Sequence, residues 1–407
     1  MSLPIEKARS SDRLMAVVVC ATVLLVGTAV SLPVPMYAEY ARVSGAGSKA
    51  LGIAFACYAF GVLPSLLFLG GVSDRTGRRL PLVVALCLSI TAITAMSVVP
   101  GLPALAVARV AQGLAAGLTG ASATALLAEC FSDALASERA AACVTSMLAV
   151  GYAVGGLATG ACLLTGPTLF PLSYPVTLVV CSIVMVMLLR QPYVAYRRQT
   201  ELLRLPYLPT GGGWICVVIG AAWSLVGMIL SVIPYELSHL GHPGWSGLIA
   251  FLMPLAGLAA QPARKRLSPS AAVTLGLVMA PIGCLLLLVG VRYGRLEPIL
   301  LGAAFSGAAA VGFSFYGGLA LITDLSGQEK ARASAAFFLA CYVGMCGAPV
   351  VLGWIAERFT TVTALAVLSV ALCGVSFGVW ARNQIRSRSS HEASEAANVR
   401  SVERGAI

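Results

Sequence analysis

Charge is what this sequence has least of. Only 11% of its 407 residues are charged, with 16 acids against 27 Lys and Arg and three His. No His-Glu helical metal motif and no nucleotide-binding loop occurs, which argues against a metal- or nucleotide-dependent membrane enzyme. Nothing in the pattern calls for a metal or a cofactor. Also lacking are the alternating segments of about 10 residues that would mark barrel strands in a membrane.

What fills the space is apolar. Hydrophobic residues make up 58% of the chain, and the mean hydropathy is +0.90, well above the roughly 45–50% apolar usage of soluble domains. Runs of about 20 apolar residues, enough to cross a hydrocarbon layer roughly 30 Å thick, recur throughout. A backbone in lipid must satisfy its own hydrogen bonds, so the runs are read as helices. They predict an all-α membrane protein with twelve spans, near 14–37, 47–70, 80–99, 103–129, 140–165, 171–190, 213–237, 245–262, 270–290, 297–323, 333–355 and 361–381. This gives an N-terminal six-helix half (14–190), a more polar linker (191–212), a C-terminal half (213–381) and a tail (382–407). The tail is rich in Ser, Arg and Glu and is expected to be disordered.

The net charge of +11 would suit nucleic acid, but its distribution points to a bilayer. With the first residue in the cytosol, twenty-one Lys and Arg fall in inward segments. Five (Arg42, Lys49, Arg292, Arg295 and Arg358) fall outward, and Arg109 lies inside a helix. That asymmetry predicts both termini in the cytoplasm. The twelve Cys fall mostly inside apolar runs, where Cys acts as a small hydrophobe. Lys7, Arg9 and Arg13 before the first run mimic a signal peptide. The run is too long and lacks a small-residue cleavage site, so it is expected to be retained.

A shift of 193 positions overlays the halves: Arg139 on Arg332, Gly151 on Gly344, Gly156 on Pro349, Gly160 on Gly353. Parallel repeats of this kind place a cavity between the halves near mid-membrane.

The scarce charge is concentrated in "GGVSDRTGRRLP" (70–81), between the second and third helices. Gly70 and Gly71 permit close helix approach, Gly77 permits a tight turn, and Asp74 can face the positive end of a helix. Arg75, Arg78 and Arg79 can pair with carboxylates or lipid phosphates. Gly70-x-x-x-Asp74-Arg75-x-Gly77-Arg78-Arg79 resembles the loop signature of the major facilitator superfamily (MFS), over about residues 14–381. The resemblance implies a latch between halves. The matching loop of the second half, "QPARKRLS", has no acid, so the latch is expected to be one-sided.

Three further stretches resemble the same family. Arg109-x-x-Gln112-Gly113 is similar to its arginine motif in helix 4. "GYAVGGLATG" is similar to the helix-5 glycine signature of exporters, with Gly151, Gly155 and Gly160 matching, Gly156 replacing the proline and Thr159 standing where a Gly is expected. "VGTAVSLPVP" is close to the helix-1 pattern of the twelve-helix drug:proton antiporter branch, its second proline one residue early. The resemblance implies proton-coupled export of a small amphipathic molecule by a monomer of the bacterial inner membrane.

A proton-driven carrier needs a titratable carboxylate on its path. Glu39, Glu129, Glu236 and Asp324 are the candidates, all at helix ends, and Arg109 and Gln112 of the arginine motif are further coupling candidates. Glu39 stands three residues before Arg42, so an ion pair would make it structural. Glu236 follows apolar "SVIPY" with no cation nearby and is the first choice; His239 and His242 stand beside it. Tyr37, Trp223, Tyr235, Phe313, Phe315 and Tyr316 are candidate cavity walls, suited to a lipophilic solute. Other readings of the sequence are a carrier for one metabolite, such as a sugar or a siderophore-like compound, and a non-transporting sensor on the same fold.

Overall fold

The structure, a computed structural model, describes residues 3–68, 77–131, 135–166, 168–191, 205–264 and 266–405, with side chains between 13 and 385 other than that of 264. Twelve helices in it are long and apolar enough to cross a membrane. They are α1 (Arg13–Val43), α2 (Ser48–Phe68), α3 (Arg79–Val98), α4 (Leu102–Cys130), α5 (Ala136–Leu164), α6 (Ser173–Arg190), α7 (Gly213–His239), α8 (Trp245–Ala263), α9 (Pro269–Tyr293), α10 (Leu296–Leu325), α11 (Lys330–Arg358) and α12 (Thr361–Ile385). The final helix runs on to Gly405, through the segment where the sequence predicts disorder. That segment contains Ala, Glu and Arg, which are good helix formers.

Helix boundaries follow local chemistry. Ser268 accepts a hydrogen bond from the Ala271 N–H, Pro269 opens α9, and Gly294 at φ +62° closes it, the proline-first, glycine-last arrangement. In α1 the helix stops at Ser31 and gives way to a 3-10 turn at Val34–Met36. Pro33 and Pro35 cause this, because neither has an N–H and each ring crowds the preceding turn. Within α10 a π-helical stretch, Ala308–Ser314, interrupts the α-helix.

Lipid tails are as apolar as Leu, so close packing rather than exclusion of water holds such helices together. The repeat positions show how. A methyl group at Gly151 would collide with the Leu24 carbonyl on α1, and one at Gly344 with the Gly220 carbonyl on α7. Each thus seats the fifth helix of its half on the first.

The outer positions of the repeat face the opposite half. A Cβ on Gly160 would sit 2.6 Å from Cα of Gly247 on α8; one on Gly353 would sit 2.7 Å from the Ser48 carbonyl on α2. Gly156 presses on Ala250 in the same way, and Gly52 leaves room for Pro349. The halves therefore meet along two pairs, α5 with α8 and α2 with α11. These contacts lie toward the end remote from Gln191 and Leu205, where the two halves connect. Ser48 Oγ donates to the Gly353 carbonyl there (2.9 Å), and the Lys49 N–H to Glu357 Oε2 (3.0 Å).

Candidate functional site

Among the described residues Arg109 is the largest fully buried side chain, 2% exposed. The kink of α1 explains part of its setting. Pro33 has no N–H to offer the Ala29 carbonyl four residues back, and the change to 3-10 geometry at Val34 disturbs the next bond. Gln112 Nε2 donates to that Ala29 oxygen (2.7 Å), and Arg109 Nη1 donates to the Val30 oxygen (2.9 Å) and to Gln112 Oε1 (3.1 Å). Residues i and i+3 share a helix face, so α4 presents both side chains to the carbonyls that the prolines expose.

The rest of the guanidinium is unmatched. Arg109 Nε and Nη2 have no hydrogen-bond partner. Among the described residues no carboxylate lies within 4.0 Å of it. The rings of Tyr37 and Phe55 stand 5.2 Å from its Cζ, a cation–π setting that offsets a fraction of the desolvation cost. An unpaired buried cation is expensive in any low-dielectric interior.

An aromatic wall leads to this cation across the boundary between halves. Phe315 of α10 is 5.6 Å from Trp223 of α7, Trp223 is 5.8 Å from Tyr342 of α11, and Tyr342 is 6.0 Å from Tyr58 of α2. Tyr58 lies one turn beyond Phe55. Tyr152, Tyr174 and Cys346 are within electrostatic reach of Arg109. Trp223, Phe315, Tyr152 and Tyr342 are half-buried.

The predicted wall residues divide accordingly. Tyr37, Trp223 and Phe315 belong to the arrangement. Tyr316 packs edge-on against Phe315 and accepts from Gln261 Nε2. Phe313 is buried in the π-helical stretch and makes no ring contact among the described residues. Tyr235 meets the His239 ring at a tilt (4.5 Å between centroids) at the remote end. Sequence reasoning missed Phe55, Tyr58, Tyr152 and Tyr342. The signal available was position: Tyr152 adjoins Gly151, and Tyr342 stands two residues before Gly344.

The acids sit at the ends of the bundle. Glu39 is held by Arg42 through both carboxylate oxygens, the pair expected from their spacing. Glu236 accepts from Thr361 Oγ1 (2.6 Å), which ties α7 to α12. Asp324 is exposed at the end of α10. Glu357, unremarked in the sequence, reaches across the halves: its carboxylate accepts the Lys49 N–H at the start of α2. An anionic group there also suits the positive end of the helix.

Gly70, Asp74 and Arg75 of the loop signature lie outside the described residues. Gly77 takes φ +84°, a left-handed geometry that glycine accommodates freely. Arg78 Nη1 bonds the Ala125 carbonyl and Glu129, both 2.6 Å, at the end of α4. Arg79 bonds the carbonyls of Gln191 and Leu189 at the end of α6. Both cations thus satisfy helix C-termini within the first half. In the second half, Arg332 Nε bonds the Leu205 carbonyl and its own carbonyl accepts the Tyr207 N–H, holding the linker against α11.

The site and fold define a two-repeat helical membrane carrier architecture. The family model of the Major Facilitator Superfamily matches residues 19–272, and the chain belongs to that superfamily. Comparison with curated protein sequences gave no match. Among solved structures, the nucleoside transporter NupG is similar at 14% identity and TM-score 0.67, covering 91% of this chain and 98% of its own. The peptide transporter POT is similar at 14% identity and TM-score 0.71, with coverage of 94% and 95%. The human organic anion transporter MFSD10 (TETRAN) is similar at 18% identity and TM-score 0.60, with coverage of 90% and 99%. At these identities the likeness establishes the fold.

Proposed function

We propose that this protein exports small organic molecules from a bacterial cytoplasm by alternating access, driven by protons moving inward. The observation that carries the reading is the placement of Arg109 and the aromatic wall at the boundary of two halves that meet remote from the linker. With the linker and both termini cytoplasmic, as the basic residues argue, this is a state closed outside. Parting of α2 from α11 and of α5 from α8 would open the outer side and close the inner one.

Three solved carriers for different small solutes share the fold, which supports transport and leaves the solute to be read from the site. The helix-5 glycines favour export. Glu236, and with it Glu357, are the coupling candidates, because Glu39 and Glu129 are engaged by arginines. Asp74 is assigned the latch of the opposite, inside-closed state; Asp74→Asn is expected to abolish most transport and leave folded protein in the membrane.

The test is flux in proteoliposomes under an imposed pH gradient, using a panel of anionic, neutral and cationic solutes. Accumulation that collapses with a protonophore supports the reading. Flux unaffected by the gradient removes proton coupling, and no flux of any solute favours a sensor.

A further inference from the structure

Among the described residues, five buried side-chain atoms have no hydrogen-bond partner: Arg109 Nε, Arg109 Nη2, Tyr37 Oη, Trp223 Nε1 and Ser314 Oγ. All five can donate a hydrogen bond, and three of them can only donate. Ser314 packs between α9 and α10 against Gly276. The other four belong to the arrangement between the halves. Buried donors without acceptors are rare in folded proteins and call for an explanation.

From this geometry we infer that Arg109 is the head-group subsite of the transported solute, and that the solute is an organic monoanion with an aromatic body. The inference rests on the transport reading above for its context and deepens it. Arg109 Nε and Nη2 are adjacent donors on a planar fork, which matches the two oxygens of a carboxylate. Nη1 is spent on Val30 and Gln112, so the fork is held in one orientation while its other edge is buried without an acceptor. The Tyr37 ring stands 5.2 Å from Cζ, and its hydroxyl is a further buried donor without a partner.

The body of the solute would lie along Tyr58, Tyr342, Trp223 and Phe315, whose rings succeed one another at 5.6–6.0 Å. Trp223 contributes both a ring face and a free N–H there. No acid among the described residues competes for Arg109, so an anion entering from the aromatic side would complete the charge. A cation would meet the guanidinium head-on. A neutral amide can return only one acceptor to a site that presents several donors.

The binding test uses detergent-purified full-length protein and matched probes: 3-phenylpropionate, 3-phenylpropionamide and 3-phenylpropylamine, with the corresponding benzoate and 1-naphthylacetate sets. Titration calorimetry is read alongside tryptophan fluorescence. Wild type is expected to bind at least one carboxylate about tenfold or more tighter than its amide, a difference of about 1.4 kcal/mol, and to bind the amine least. Arg109→Gln should bring the carboxylate to the affinity of the amide, and Arg109→Lys should keep part of the preference. Tyr37→Phe, which removes only the hydroxyl and keeps the ring, should weaken carboxylates alone; it carries the test if Arg109→Gln does not fold. Equal affinity for acid and amide in wild type overturns the inference, as does carboxylate binding untouched in folded Arg109→Gln, or no carboxylate binding at all. Failure of the transport reading looks different: carboxylates would bind through Arg109 yet none would cross proteoliposomes. Flux of amides or amines with carboxylates ignored would keep transport and remove the subsite.

Discussion

Gln112 of α4 donates to the Ala29 carbonyl of α1 at 2.7 Å, replacing the backbone N–H that Pro33 lacks. One stretch of sequence makes a defect in a membrane helix and another, some eighty residues on, repairs it.

The repair has a measurable worth. Gln112→Leu leaves a buried carbonyl unpaired, a loss of about 1–3 kcal/mol, so unfolding in detergent should shift to lower denaturant. Pro33→Ala restores the missing N–H and should recover part of that loss in the double variant, while changing wild type less. Additive effects of the two substitutions would show that they do not share one bond.

Crowding the boundary between halves should change conformation more than fold. Gly353→Val places branched carbons against the Ser48 carbonyl of the other half. Spin-label distances across the remote end should lengthen relative to wild type, with transport reduced by about tenfold or more, since overpacking costs about 1–3 kcal/mol. An unchanged distance distribution would mean that the contact is not part of the gate.

Gly155 faces the Thr28 carbonyl and Ser31 Oγ on α1 within one half. Gly155→Leu should block turnover and lower the thermal midpoint, and binding of a solute in detergent should survive in whatever protein remains folded. Wild-type turnover would reduce this face of α5 to inert packing.

Coupling is read from the acids at the remote end. Glu236→Gln or Glu357→Gln should abolish accumulation driven by a pH gradient while downhill exchange persists, and Glu39→Gln, already neutralised by Arg42, should do less. Glu357→Gln keeps an acceptor for the Lys49 N–H, so it separates charge from helix capping. If all three retain gradient-driven accumulation, another driving force operates.

Much of the architecture was legible in the sequence because hydrophobic length is a one-dimensional signal. The starts of α7, α8 and α12 fall at the expected residues, and the 193-residue shift picked out glycines that do matched work in the two halves. The site was less legible. Arg109 and Gln112 stood out as polar residues in an apolar run, but what they bind depends on the α1 kink. Tyr58, Tyr152 and Tyr342 look like ordinary aromatics until the halves bring them together. The significance of Glu357 depends on the start of α2, about 300 residues away, a juxtaposition that periodicity cannot convey.

The most direct test of alternating access is to lock the remote end and follow flux. Ser48→Cys with Gly353→Cys joins α2 to α11 where the side chain of one already bonds the backbone of the other. Proteoliposomes containing the double variant, each single variant and wild type would be oxidised and assayed with labelled 3-phenylpropionate, then reduced and assayed again. Flux in the double variant alone should stop on oxidation and return on reduction. Undiminished flux through a verified crosslink would contradict a mechanism in which the two halves part at this end.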